Sequence, residues 1–239
     1  MVGWPTTLLV DHFMSISLRV LIFCALVGAA VPFGLMATAE TPPAQNSMSA
    51  RTEGEDLYRR GLYAEAIAWW TEQADKGDAA AARHLGVEYM DGKGNVVQRD
   101  YEKARRYHLQ AAKAGDARSM MDLGTIYENG LGVTSDLIEG ARWYEWSAKY
   151  GHGPAQYNFA TMLETGEAGR QDVIEAYKYY LLATAQGMTG LPYDPKDQRF
   201  DADSPTPLQA LERRLTPTQR TEGKARANAF RAMSGPLPI

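Results

Sequence analysis

The sequence has few of the residues on which several kinds of functional site depend. Its 239 residues include a single cysteine, Cys24, so one chain cannot build a disulfide framework or a thiolate metal cluster. Its 25 Lys and Arg residues are outnumbered by 29 Asp and Glu residues, and no basic run is long enough to neutralise a row of phosphates. These absences argue against nucleic acid as a partner.

Motifs for catalysis, metal binding and cofactor binding are also missing. There is no HExxH, no GxSxG and no phosphate-binding glycine loop, so we expect no metal and no cofactor. The histidines after residue 50 lack a partner at helical spacing and are expected on the surface; they are His84, His108 and His152. The stretch 201–203 opens like a calcium loop, but Pro205 stands where a third ligand should be, so we interpret it as a solvated acidic loop.

The first 39 residues have the pattern of a secretory signal peptide. Arg19 precedes an uncharged apolar run from Val20 to Val31, and small residues follow at Ala37 and Ala39. This order predicts export with cleavage after Ala39, which would place the mature chain in the periplasm or outside the cell. Residues 40–50 are rich in proline and serine and are interpreted as a flexible leader.

Two other interpretations of the N-terminus stay open. The uncharged stretch from Val20 to Ala39 is just long enough to span a bilayer as an uncleaved anchor, although Pro32 and Gly34 weaken a helix there. Residues 1–13 lack Lys and Arg, which a signal peptide needs at its start. A true start at Met14 is therefore the alternative to the full reading frame.

An internal repeat is the strongest pattern in the sequence. Four glycines mark it at spacings of 38, 36 and 36 residues: Gly77, Gly115, Gly151 and Gly187. A pair of mostly aromatic residues lies eight and seven positions before each glycine: Trp69-Trp70, Tyr107-His108, Trp143-Tyr144 and Tyr179-Tyr180. Because these positions recur in register, we expect the aromatic side chains to form a core rather than a sugar- or cofactor-stacking site.

Each repeat is predicted to be a helical hairpin. Leu123 and Tyr127 are four residues apart and lie on one face of a first helix. Gly130 can adopt a positive φ where that helix stops, and Asp136 can cap the second helix. The glycine that closes each unit is predicted to be a C-cap, followed by an acidic residue such as Asp116 at the next helix N-terminus.

The pattern LGxxYxxGxGV…D…A…WYxxAAxxG resembles the Sel1-like repeat, a tetratricopeptide-related α/α unit. The match is clearest over residues 116–151, and it extends to residues 78–115 and 152–187. Residues 51–77 keep only the second-helix signature and are interpreted as a degenerate N-terminal cap. The resemblance implies an all-α fold, an α/α solenoid of about ten helices in a right-handed superhelix with essentially no strand.

The sequence changes character after the last repeat. Residues 188–207 are rich in proline and aspartate and are predicted to be a loop. A short helix is predicted from Leu208 to Leu215, and a capping box at Thr216 begins a final helix that runs to about Met233. Residues 208–239 are expected to close the solenoid with a polar cap.

Three functions are compatible with such a solenoid. The leading hypothesis is an exported, non-catalytic scaffold that binds a protein or peptide partner through the inner surface formed by the first helices. The second is a periplasmic regulator that binds a membrane sensor or envelope component, a role known in the family; an uncleaved anchor would favour it. The third is β-lactam hydrolysis, known from cysteine-rich relatives, but the disulfide that they carry in each repeat is absent here.

Candidate binding residues are predicted from the register of the first helices. Leu85, Leu123 and Phe159 define the buried face, so positions one before and two or three after them are expected to turn toward the inner surface. This selects His84, Glu88, Asp122, Thr125, Asn158 and Thr161. The alternative is that these residues are solvated helix faces with no partner.

Overall fold

The computed structural model describes the repeats and the segment that follows them. The described residues are 53–92, 96–189 and 205–238, together with the backbone of 193–194 and 199–200. The predicted signal peptide, the leader and the acidic stretch 201–203 lie outside the described residues. Within the described ranges, no helix is both long and apolar enough to cross a bilayer.

The repeats fold into consecutive helical hairpins. Residues 53–59 are helical, and they are followed by α1 (Tyr63–Asp75), α2 (Ala79–Asp91), α3 (Tyr101–Lys113), α4 (Ala117–Asn129), α5 (Leu137–Lys149), α6 (Gly153–Thr165) and α7 (Val173–Ala185). The first hairpin is α2–α3, the second α4–α5 and the third α6–α7, and each packs against the next. The predicted all-α solenoid is confirmed.

Local sequence signals set the ends of these helices. The side chains of Asp100 and Asp136 accept hydrogen bonds from the N–H groups of Lys103 and Glu139, each at 3.0 Å, and so cap α3 and α5. Gly130 closes α4 in the left-handed conformation with a φ of 67°. The caps therefore act where the sequence predicts them.

The segment after α7 differs from the prediction in a short strand pair and in the length of the last helix. Strands β1 (Tyr193–Asp194) and β2 (Arg199–Phe200) pair antiparallel within the predicted loop. Helices α8 (Pro207–Arg214) and α9 (Pro217–Ala229) pack against α7. Helix α9 has the predicted capping box but ends four residues before Met233, because Phe230 adopts an extended ψ of 135°.

Residues 230–238, which we call the return segment, run back over the ends of two second helices. The N–H of Met233 donates to the carbonyl of Lys149 at 2.9 Å, and the N–H of Leu237 donates to that of Lys113 at 3.0 Å. Leu237 is buried. The predicted helical cap at 208–239 thus ends in a non-helical strap across the second and first hairpins.

The core follows the predicted aromatic register. Its large aromatic side chains are each less than a tenth exposed: Trp70, Tyr107, Tyr144, Tyr179 and Tyr180. Helices within a hairpin approach closely beside them, since a Cβ on Gly124 would lie 2.5 Å from the Tyr144 ring. The second residue of each aromatic pair is buried in the core as predicted, whereas Trp69 and Trp143 are only partly buried and pack against it.

Candidate functional site

The candidate site is a shallow groove of about 470 Å³ at the beginnings of the first helices. Helix starts contribute most of its polar lining because α2, α4 and α6 begin side by side in consecutive hairpins. The polar side chains that line it are Glu55, Arg83, Asp116, Arg118, Tyr150 and His152. This edge brings together residues from the N-terminal cap and from all three hairpins.

The charges in the groove balance one another. The Nε of Arg83 lies 3.6 Å from the Oδ2 of Asp116, and both side chains are less than a quarter exposed. Arg118 and Glu55 add one further charge of each sign. A groove with both donors and acceptors and no net charge suits a polar peptide better than a strongly charged ligand.

Two histidines at this edge are neutral at neutral pH. Burial is the main cause that lowers the pKa of His84, whose ring stacks on Trp70 with centroids 4.4 Å apart. The Nε2 of His84 lies 3.3 Å from the Oε1 of Glu55. Burial and then Arg118 lower the pKa of His152, and its buried Nδ1 has no hydrogen-bond partner among the described residues. Each of these imidazoles can therefore donate one hydrogen bond and accept another without carrying a charge.

Glu88 is not on the surface, so the prediction of an exposed side chain at this position is wrong. It is 8% exposed, and the same register position holds buried Ile126 in the second hairpin and buried Met162 in the third. A residue three positions after Leu85 lies on the same helix face as Leu85 and faces the core. The apolar residues at this position in the other two repeats were the signal for its burial.

Thr125 and Thr161 contact the partner helix of their own hairpin. The hydroxyl of Thr125 lies 3.1 Å from that of Tyr144, which donates to the Oε2 of Glu128 at 2.7 Å. The third hairpin repeats this Thr–Tyr–Glu cluster, with both distances at 3.0 Å, in Thr161, Tyr180 and Glu164. Both threonines are partly buried, and their visible role is to join the two helices.

His108 occupies the register of Tyr144 and is fully buried, so the expectation of a surface histidine is wrong there. Its Nδ1 lies 3.3 Å from the Oγ of Ser119 and 3.6 Å from the Oδ2 of Asp122. Burial lowers the pKa of His108 to about 4, and burial, helped by Asp116, raises the pKa of Asp122 to about 6. At neutral pH the imidazole is therefore uncharged beside an ionised Asp122.

His84, Asp122 and Asn158 stand at equivalent positions of successive first helices and are all partly exposed. They offer an imidazole, a carboxylate and an amide in one row, which can form hydrogen bonds to a partner. Their role as binding residues stays a prediction. No group of three or more His, Cys, Asp or Glu side chains in the described ranges could hold a metal ion.

Comparison with protein families identifies the repeat. A family model described as Sel1 repeat matches residues 79–116, 117–152 and 153–188. The human protein sel-1 homolog 2 is 30% identical over 119 residues, which cover 48% of this chain and 17% of that protein. The Arabidopsis thaliana ERAD-associated E3 ubiquitin-protein ligase component HRD3A is 31% identical over 77 residues, covering 32% of this chain and 11% of that protein. The chain thus spans less than a fifth of the length of these curated relatives.

Solved structures share the same solenoid. The crystal structure of c5321, a protective antigen of uropathogenic Escherichia coli strains, matches with a TM-score of 0.57 and 27% identity over 77% of this chain and 38% of that chain. A Sel1 repeat protein from Oxalobacter formigenes matches with a TM-score of 0.55 and 22% identity, covering 77% of this chain and 74% of that chain. The second likeness bears on the fold alone.

Proposed function

We propose that this chain, which carries three Sel1 repeats, is an exported, non-catalytic scaffold that binds a protein or peptide through the inner surface of its solenoid. One relative is by its name a component of a ubiquitin-protein ligase, and a component works as one member of an assembly. A solenoid suits such a part because each repeat adds side chains to one continuous surface.

The observation that carries this proposal is the charge-balanced groove at the starts of the first helices. Arg83 and Asp116 are held together there at 3.6 Å, and Arg118 is exposed beside them. The row of His84, Asp122 and Asn158 lies on the same helices. A partner that meets this surface gains hydrogen bonds from several repeats at once, which favours an extended segment over a compact small molecule.

Charge reversal at one exposed arginine tests whether the partner binds in the groove. Arg118→Glu should abolish capture of the partner from an envelope extract, because the groove then carries a net negative charge. Arg142→Glu is the matched control, since Arg142 lies on second helix α5, is 69% exposed and pairs with Glu139 of its own helix. Both variants should keep the parental circular dichroism and melting temperature. Retention of the partner by Arg118→Glu would move the binding surface away from the groove.

The proposed location outside the cytoplasm rests on the signal-like N-terminus. Sequencing of the protein from cell fractions should find a chain that begins at Glu40, in the periplasm or the medium. A chain that keeps Val20–Val31 and sediments with the inner membrane would contradict cleavage. That result would favour the alternative of a membrane-associated regulator that binds a sensor or envelope component.

A further inference from the structure

The edge at which the second helices end carries binding positions that the return segment already fills. The last carbonyls of a helix have no partner within the helix. The carbonyls of Lys113 and Lys149, which end α3 and α5, accept hydrogen bonds from the N–H groups of Leu237 and Met233. Two acceptors that are 36 residues apart in the solenoid therefore bind donors that are four residues apart in the return segment.

A socket beside these carbonyls takes an apolar side chain. Leu237 is 6% exposed and packs in one cluster with Ala112, Met120, Leu123 and Ile126. The hydroxyl of Tyr150, a residue that also lines the polar groove, donates to the carbonyl of Pro236 at 3.1 Å. The residues from 231 to 236 are exposed, so the segment is attached through these few contacts.

The glycines that close the repeats leave room for a backbone along this edge. Gly115 has a φ of +95°, and a side chain there would collide with the carbonyl of Gly235. Gly151 has a φ of +86°, and its Cβ would lie 3.0 Å from that of Ala232. Gly187, at the equivalent position of the last repeat, faces no described atom within 4 Å.

We propose that this edge is a docking surface for an extended, uncharged segment of a partner protein, and that the return segment is its intramolecular competitor. The partner segment would place a leucine or a similar apolar side chain in the socket of Leu237. Its backbone N–H groups would bind the carbonyls of Lys113 and Lys149. Residues 232–238 carry no charge, and their fit to the edge defines the chemistry of the occupant that we infer.

A partner segment would have to replace only a few contacts in order to displace the return segment. Its visible attachments are two backbone hydrogen bonds, one tyrosine hydroxyl, one buried leucine and a cation–π contact of Lys178 with the Phe230 ring. Segments with few buried contacts open at a lower free energy than the core. The inference rests on the proposed partner-binding function, but it concerns an edge that borders the polar groove rather than the groove itself.

A labelled peptide tests the docking surface in the full chain. The probe is a fluorescein-labelled peptide with the sequence of residues 230–239, and its anisotropy is followed during titration with the parent chain and with the Leu237→Asp chain. The peptide should bind the Leu237→Asp chain about tenfold more tightly or better, because that chain's own segment no longer fills the socket. A peptide with aspartate at the leucine position is the matched control and should bind neither chain.

Two results would overturn the proposal. Equally weak binding of the peptide to both folded chains would mean that the edge has only a structural role. Leu237→Ala provides the same comparison if Leu237→Asp fails to give the parental circular dichroism. A parent chain that is dimeric by analytical ultracentrifugation, with a monomeric Leu237→Asp chain, would identify a second copy as the occupant. Failure of the proposed function would show separately, as unchanged capture by the Arg118→Glu chain.

Discussion

The first hairpin differs from the second and third in how it satisfies one buried polar side chain. In the second hairpin, the Tyr144 hydroxyl is held by Thr125 and Glu128 of the partner helix. In the first hairpin, His108 stands at the same register, and its Nδ1 is nearest to Ser119, which belongs to the next hairpin. The polar contact therefore lies within a hairpin in one case and between hairpins in the other.

The residues around His108 and around Tyr144 differ in a way that matches the two side chains. Val87 and Met90 of the first hairpin stand where the second has Thr125 and Glu128. A tyrosine at position 108 would have neither of these acceptors, and a buried hydroxyl without a partner costs free energy. The difference shows that one packing register can hold two polar arrangements, provided that the neighbouring residues change together.

Removal of the tyrosine ring should have the largest effect. Tyr144→Ala is expected to lower the free energy of unfolding by about 3–5 kcal/mol, because it leaves a cavity in the core and frees two polar partners. Urea denaturation followed by circular dichroism measures the change. Tyr144→Phe keeps the ring and should cost about 1–3 kcal/mol. If Phe is as damaging as Ala, the hydroxyl rather than the ring carries the stability.

His108 of the first hairpin and Asp122 of the second should together leave stability nearly independent of pH between about 4 and 6. The pKa of His108 is lowered to about 4, and that of Asp122 is raised to about 6. Between these values the folded chain holds one proton on Asp122, and the unfolded chain holds one on His108. Because both states bind the same number of protons, the pair contributes little slope to stability in this range.

The variant Asp122→Asn should make the effect of His108 on the pH dependence of stability measurable. The folded variant then binds no proton at the pair, while the unfolded variant takes one up below a pH of about 6.5. Its stability should therefore fall as pH drops from about 6.5 toward 4, by on the order of 3 kcal/mol relative to the parent. Arg83, Asp91, Asp116 and Arg118 are the other charges near the pair, and they are present in both chains. Parallel urea midpoints for parent and variant across this range would contradict the raised pKa of Asp122.

The close helix approach of the second hairpin should be sensitive to added volume. Gly124→Leu is expected to cost at least about 1–3 kcal/mol, because even its Cβ would lie 2.5 Å from the Tyr144 ring. Arg142→Leu adds the same side chain at an exposed position and should change stability by less than about 0.5 kcal/mol. Equal melting temperatures for the two variants would show that Gly124 does not face Tyr144.

The features that spacing determines can be predicted from the sequence, whereas those that depend on a distant neighbour cannot. The repeat, the helix caps and the aromatic core arise from positions that recur every 36 to 38 residues and from local hydrogen bonds. His108 and Glu88 are misplaced when residue type is given more weight than register, although Tyr144 and Ile126 stand at their positions in the second hairpin. The return segment has no period, and its backbone contacts join parts of the chain that are far apart in sequence. No local signal could have predicted it.

The hydrogen bond between the hydroxyls of Thr125 and Tyr144 has the smallest expected effect on stability. Thr125→Val removes the hydroxyl beside Tyr144 while keeping the side-chain shape, so the second hairpin should lose about 0.5–1.5 kcal/mol, the net value of one hydrogen bond. The reverse change, Val87→Thr, should give a gain smaller than that loss, because Nδ1 of His108 is directed toward Ser119 and only its Nε2, which has no partner among the described residues, is available to the new hydroxyl. Urea denaturation of both single variants and of the double variant measures the two effects, which should add because the sites lie in different hairpins. A gain from Val87→Thr as large as the loss from Thr125→Val would mean that the first hairpin can adopt the arrangement of the second, and the distinction between them would then rest on His108 alone.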